Sequence, residues 1–394
     1  MSKKIAFFCD NFYPNIDGVV KVVNNYGKVL SKDNECAVIA PDYRDGYNVD
    51  HEYKLIRKKS LLIKFHDYIM PLPKRCKETD KFLKENRMDI YHAHSPFFLG
   101  HYALKMGKKY HIPVVATFHS QFKRDFMEMT HSRIITFFLM KHIMRFFNKC
   151  DEVWAVSNAT AKTLRSYGYK KDIFVARNGT AFTYPSNMLE LKEQAKQQYH
   201  IDSSKKNIVY VGQIRYVKNL KLIIDSINLL SKERDDFHFY FVGEGKDEPK
   251  YKKYVHKLGL ENVITFVGRI SGGEGMQGFL ANTDLVFFPS VYDNSSIAVQ
   301  EACVCKVPTL FTEGSNTSEG FKDCYTGYLA KENPEAMKDK LNYILDHDEE
   351  RKEVGLRASK EMPHTWEEVI LEAEKRYDVV IDKYKNNHKQ KYLF

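Results

Sequence analysis

Short apolar runs rich in β-branched and aromatic residues recur along the chain, separated by longer stretches with helical patterning. Ile5–Cys9, Cys36–Ala40, Ile90–Ala93, Val114–Phe118 and Val153–Val156 form a first series. Ile208–Val211, His238–Val242, Val263–Val267, Leu285–Phe288 and Pro308–Phe311 form a second. Runs of this length with little polar alternation predict strands buried on both faces, and their interleaving with helices predicts parallel sheets. The pattern restarts after the turn Arg177-Asn178-Gly179-Thr180. The expectation is therefore an α/β protein of two doubly wound domains, residues 1–183 and 184–364, facing a central cleft at the carboxyl ends of their strands. A further helix follows from Thr365, a candidate N-cap, and the polar tail from Lys383 is expected to fray.

Size and composition fit this reading. A chain of 394 residues, 43% of them apolar, suffices for two ordinary cores. No run of about 20 apolar residues predicts a membrane-spanning helix. The opening Met1–Asp10 breaks too early for a secretory leader and reads as a first core strand. Seven scattered cysteines, with Cys303 and Cys305 as the one close pair, give neither a zinc pattern nor a disulfide framework. They fit a reducing cytoplasm. Charge is uneven. Residues 1–180 hold 31 Lys and Arg against 18 Asp and Glu, and the remainder holds 30 against 33. A basic first half points to an anionic partner such as a membrane surface or nucleic acid.

The richest segment is Phe287–Ala302. An apolar strand gives way to a short turn containing Asp293, Asn294, Ser295 and Ser296, then to a helix opened by Ile297 and carrying Glu301. A helix N-terminus offers backbone N–H groups and a positive dipole end to an anion. The two carboxylates suit sugar hydroxyls, so the segment fits a sugar diphosphate.

Other strand ends carry weaker signals. Gly18 opens a helix after the first strand, where a missing side chain admits close approach of a ligand; read alone, the position is an ordinary tight turn. No G-x-G-x-x-G follows that strand, so a dinucleotide site is not supported. His119 closes Val114–Phe118 and is expected to point into the cleft, although a lone histidine is more often structural. His92 and His94 end a neighbouring strand, and only one of them is expected to face a given side. Gly212 ends a strand and is followed by the neutral Gln213 and by two cations, Arg215 and Lys218, suited to a diphosphate leaving group or to a solvated basic loop. Arg269 and Ile270 follow Gly268, where backbone groups can read the edge of a base.

Taken in order, these motifs resemble the family-4 retaining glycosyltransferases of the GT-B fold, among them bacterial lipid and cell-envelope enzymes such as diacylglycerol glucosyltransferases. The likeness runs through Asp17-Gly18-Val19, His92–Pro96, Thr117–His119, Val156–Leu164, Arg177–Thr180, Val211–Asn219, Phe241–Gly245, Phe266–Ile270 and Asp293…Glu301. It implies two Rossmann-like domains, the first for the acceptor and the second for a nucleotide sugar, with the last helix crossing back to the first. It implies that Glu301 holds the ribose, that Arg269 and Ile270 meet the base, and that Asp293 through Ile297 touch sugar and diphosphate. Lys218 corresponds to the phosphate-neutralising lysine, Gly18 lies near the phosphates and His119 near the transferred sugar. The implied reaction is metal-independent, cofactor-free transfer of a hexose with retention, from UDP-glucose foremost. Two positions depart from the family pattern. Gln213 stands where arginine is usual, with Arg215 as its substitute, and Asp293 stands where glutamate is usual.

Residues 57–77 and 131–149 mix cations with large apolar side chains. Such a helix either lies on an anionic bilayer or packs with a solvated basic edge. For 57–77 the surface reading leads; for 131–149 the packed reading does. The leading expectation is a cytoplasmic enzyme, peripheral at the inner face of the membrane, acting on diacylglycerol or a glycolipid. The alternatives are extension of a capsular or cell-wall polysaccharide, and a binding protein without strong catalysis. No RRM, KH or zinc-finger signature supports a nucleic-acid partner.

Overall fold

The computed structural model describes residues 2–15, 17–43, 50–65, 68–73 and 77–390, with the side chains of 61–65, 68–73 and 388–390 outside the description. Its contacts divide into two compact units, Met1–Asn178 with Trp366–Phe394, and Gly179–Thr365.

The first unit contains strands β1 (Lys4–Phe8), β2 (Glu35–Asp42), β3 (Lys54–Phe65), β4 (Tyr68–Pro73), β5 (Ile90–Ala93), β6 (Val114–Phe118), β7 (Glu152–Ala155) and β8 (Ile173–Val175). They form one sheet in the order β4-β3-β2-β1-β5-β6-β7-β8. All neighbours are parallel except β3 and β4, which pair antiparallel. Its helices are α1 (Gly18–Leu30), α2 (Lys77–Glu85), α3 (Phe98–Tyr110), α4 (Phe122–Thr130), α5 (Arg133–Lys149) and α6 (Asn158–Ser166). The central strands β5, β6 and β7 are buried at every position, as helices on both faces require.

The second unit contains β9 (Lys206–Val211), β10 (Phe237–Val242), β11 (Ile264–Gly268), β12 (Leu285–Phe288), β13 (Thr309–Thr312) and β14 (Tyr328–Ala330). The sheet is parallel throughout, in the order β11-β10-β9-β12-β13-β14. Its helices are α7 (Met188–Gln198), α8 (Leu220–Leu230), α9 (Glu248–Leu258), α10 (Gly273–Ala281), α11 (Ile297–Val304), α12 (Pro334–Asp346) and α13 (Asp348–Glu361). Strand order reverses between β9 and β12. The chain leaves these two neighbours in opposite directions across the sheet, and a crevice opens beyond their carboxyl ends.

The last helix, α14 (Trp366–Gln390), belongs to the first unit. Its Tyr377 is fully buried and stacks on Trp154 of β7, ring centroids 5.0 Å apart. Arg376 forks onto Glu152 with contacts of 2.8 and 2.6 Å. In its described residues, up to Gln390, the segment from Lys383 does not fray as expected. It continues α14 to Gln390, because Val380 and Ile381 are buried and carry the helix past the polar positions.

The helical reading of residues 57–77 is also overturned in its described part. Residues 57–60 are not helical; they lie in β3 between β2 and β4. Arg57 donates to the carbonyls of Pro41 (2.9 Å) and Tyr13 (2.7 Å). Lys58 is buried over the Tyr102 ring at 4.0 Å, with Asp80 at 3.9 Å. Two of the cations assigned to a surface thus satisfy groups inside the fold. Side chains 61–76 lie outside the described residues.

Candidate active site

In the second unit the chemistry gathers at the crevice between β9 and β12. The loop after β9 contains Gly212, Gln213, Arg215 and Lys218, with residues 216–218 forming a short 3-10 turn. The loop after β12 contains Asp293 through Ser296. Because the two strands are neighbours, the Lys218 ammonium reaches the Asp293 carboxylate and pairs with its Oδ1. The Lys218 ammonium also lies 5.0 Å from the centre of the Tyr292 ring. Both side chains are largely shielded, which raises the strength of the pair above that of a surface contact. Asp293 Oδ2 has no hydrogen-bond partner although it is buried. A carboxylate oxygen in that condition is a ready acceptor for a ligand hydroxyl.

Buried polar side chains fix this loop. Ser290 accepts from the backbone N–H groups of Tyr292 and Asp293, each at 3.3 Å. Thr312 Oγ1 donates to the Pro289 carbonyl (2.9 Å) and Thr317 Oγ1 to that of Ser290 (3.2 Å). Asn316 Nδ2 donates to Asn294 Oδ1 at 2.8 Å. Asn294 is therefore a buried structural link. Ser296 occupies the N-cap of α11, and its side chain makes no cap hydrogen bond. Ser295 and Ile297 are half-buried at this helix start, where N–H groups and hydroxyls surround the N-terminus, and Glu301 is half-buried further along the same helix.

The loop after β9 is held by its other neighbour. Gly243 follows β10 with φ +132°, and a Cβ there would sit 2.0 Å from the Gly212 carbonyl oxygen. A Cβ on Gly245 would sit 2.2 Å from the Ile214 oxygen. The two glycines let the loop after β10 press against residues 212–214, where Ile214 N–H donates to the Glu244 carbonyl at 3.0 Å. Their supporting role, and that of Ser290 and Thr317, is not evident from residue type alone. The alternate glycines of Phe241–Gly245 are the one local signal of it. Gln213 is exposed, and its carbonyl accepts from the Tyr210 hydroxyl at 3.2 Å. Arg215 is half-buried on the same loop. Arg269 is exposed and Ile270 buried just beyond β11, two strands from the crevice.

In the first unit the carboxyl ends of β5 and β6 bring three imidazoles together. His94 Nδ1 and His119 Nε2 are 3.0 Å apart. His92 contacts Thr117 Oγ1 (2.7 Å) and the Tyr377 hydroxyl (2.6 Å). The rings of His92 and His94 are 4.1 Å apart, so both lie on one side of the sheet. The expectation that only one would face a given side fails, because residues two apart on a strand share a face. Burial holds all three below the ordinary histidine range, pushing His119 down to about 3. They are neutral at physiological pH.

Gly18 begins α1, whose N-cap Asp17 accepts from Val20 N–H at 2.8 Å. A Cβ on Gly18 would meet nothing within 4 Å, so packing does not demand glycine there. Among the described residues, no group of three or more His, Cys, Asp or Glu is placed to hold a metal ion. No helix among them is long and apolar enough to cross a membrane.

Comparison with known proteins agrees with this geometry. Residues 16–182 match the model of Glycosyltransferase Family 4, and residues 192–361 that of Glycosyl transferases group 1. The chain is 21% identical over 312 residues to the alpha-monoglucosyldiacylglycerol synthase of Streptococcus pneumoniae, covering 78% of this chain and 70% of that protein. It is 22% identical to a GDP-mannose-dependent alpha-mannosyltransferase of Corynebacterium glutamicum, covering 96% and 89%. Among solved structures, Anabaena Alr3699/HepE in complex with UDP aligns with a TM-score of 0.77 at 14% identity, covering 95% of this chain and all of that one. With two Rossmann-like parallel-sheet units and both family models matched in succession, the chain belongs to the family-4 glycosyltransferases of the GT-B type.

Proposed function

We propose that this chain transfers a hexose with retention from a nucleotide sugar, UDP-glucose foremost, to a hydroxyl of a membrane lipid such as diacylglycerol. The observation that carries the reading is the Lys218–Asp293 pair at the β9/β12 crevice, beside the α11 N-terminus. It sets a cation and backbone N–H groups where a diphosphate would sit, and a carboxylate where a sugar hydroxyl would. When the donor enters, its diphosphate takes over Lys218, with Arg215 as a second cation, and the released Asp293 accepts from the sugar. Glu301 holds the ribose. Gly212, Gln213, Arg269 and Ile270 serve the nucleotide, and Ser295, Ser296 and Ile297 the diphosphate. In the first unit, Gly18 is assigned to the phosphates and His119 to the sugar.

The bond from the sugar C1 to the phosphate oxygen breaks as the acceptor oxygen bonds C1 on the same face. The departing phosphate oxygen takes the acceptor proton, and Lys218 stabilises the charge left on the nucleoside diphosphate. No metal takes part. The lipid-glycosylating relative and the UDP-bound structural neighbour support the donor and acceptor choice. The basic first unit supports an anionic membrane as the place of action.

The test is product formation from UDP-glucose or GDP-mannose with diacylglycerol in vesicles, with and without a chelator. The expected result is an α-linked glucolipid from UDP-glucose, unaffected by the chelator. A β-linked product, or a product from GDP-mannose alone, would overturn the assignment of mechanism or donor.

A further inference from the structure

Helix α5 is apolar on two faces. Thr136, Ile143, Phe146 and Phe147 point into the first unit's core. On the outer side Ile134 is 72% exposed, Ile135 50%, and Phe137 and Phe138 each 62%. A soluble surface seldom leaves so many large apolar side chains together without a partner. Lys141, Arg145 and Lys149 are exposed in the second half of the same helix, and Arg133 at its start. At 100° per residue, Phe137, Lys141, Ile134, Arg145, Phe138 and Lys149 fall on a single side. That side is apolar near the N-terminus and cationic towards the C-terminus. The helix carries no acidic residue at all.

We infer that the first half of α5 is the edge by which this protein enters an anionic bilayer, with Ile134, Ile135, Phe137 and Phe138 in the acyl boundary and Lys141, Arg145 and Lys149 on lipid phosphates. The segregation of apolar and cationic residues along the helix sets it obliquely, N-terminal half deeper. Charge complementarity selects the partner: four cations without a compensating acid on α5 repel a second copy and attract anionic headgroups. Insertion and electrostatics then act together, as stable peripheral attachment requires. The inference refines the membrane reading proposed above and is tested separately from it. Arg57 and Lys58 take no part in this surface, since both are engaged within the fold.

The experiment is sedimentation of the full chain with phosphatidylglycerol or phosphatidylcholine vesicles, for wild type, Phe137→Ser/Phe138→Ser and Lys141→Glu/Arg145→Glu. Circular dichroism and the thermal shift given by UDP report folding. Both native tryptophans, Trp154 and Trp366, are buried, so Phe138→Trp adds an indole whose emission reports insertion. Wild type should bind the phosphatidylglycerol vesicles and bind phosphatidylcholine at least tenfold more weakly. Each double variant should lose at least tenfold in binding with the UDP shift kept, and the Phe138→Trp emission should move to the blue on insertion. Unchanged binding by the phenylalanine variant, no blue shift, or a wild-type dimer that the variant dissolves without any vesicle binding would overturn the inference. Vesicle binding that follows the variants, with no glucolipid formed, would leave this surface standing and remove the lipid acceptor.

Discussion

The two units place their chemistry in opposite ways at the same topological position. At the carboxyl ends of its strands the second unit sets charges against each other, Lys218 against Asp293, with Arg215 on the same loop as Lys218 and Glu301 on the helix that follows Asp293. The first unit sets three neutral imidazoles there, and its excess positive charge lies elsewhere, on α5 among other places. The difference follows from what surrounds each group. The loops of the second unit are glycine-tightened and bring a cation and a carboxylate together, so that each charge offsets the other in a largely shielded place. In the first unit His92 stands between β5, β6 and α14, where Tyr377 and Trp154 exclude water, and burial likewise disfavours the charged ring of His94 and His119. A strand end is thus a position for chemistry, and its surroundings decide whether that chemistry is ionic or neutral.

Removing a charge should therefore cost far more than removing an imidazole. Lys218→Ala takes away the group assigned to the leaving diphosphate and leaves Asp293 without its partner. A loss of about 10²–10³ in kcat is expected, as for a single removed electrostatic donor. Steady-state kinetics with UDP-glucose check it, and a loss under tenfold would break the contrast. On the neutral side, Tyr377→Phe deletes the hydroxyl on the buried His92 Nδ1. It should lower unfolding free energy by about 1–3 kcal/mol, read from urea denaturation, with UDP affinity unchanged. His119→Ala should cost transfer about tenfold, the worth of one neutral hydrogen bond, in the same kinetic assay.

The smallest effect sharpens the comparison through pH. Histidines whose folded pKa lies below the unfolded value near 6.5 bind fewer protons folded than unfolded in that range. Their contribution is complete above about pH 6.5 and is lost as the pH falls towards about 3, the value for His119. The thermal midpoint should hold between pH 7 and 8 and decline below 6.5, and His119→Asn should flatten part of that decline. A midpoint that rises on acidification would show charged imidazoles in the fold.

Much of this arrangement was legible in the amino-acid order. The buried runs β1, β2, β5 to β7, β9, β10, β12 and β13 declare themselves because parallel strands covered on both faces leave no polar alternation, and the half-buried edge strand β11 is apolar enough to join them. Lys218, Asp293 and Glu301 stand out because their residue types at strand and helix ends match a diphosphate and its sugar. Other elements were hidden for physical reasons. β3 carries Lys54, Arg57, Lys58 and Lys59, so its charge masks a strand whose cations Arg57 and Lys58 find partners only in three dimensions. β14 has three residues, too few for a pattern. The supports of the β12 loop, Ser290 and Thr317, are 27 residues apart and meet only because β12 and β13 are neighbours. The exposure of Phe137 and Phe138 was equally hidden, since an apolar residue on an amphipathic helix reads as core until its surroundings are known.

The central claim is that the β9/β12 crevice of the second unit is the nucleotide-sugar site. Titration of UDP into wild type and Glu301→Ala, followed by calorimetry, tests it most directly. The account predicts saturable one-to-one binding by wild type and at least a tenfold weaker affinity in the variant, about 1.4 kcal/mol. Equal affinity of the two proteins for UDP, or no binding by either, would contradict it.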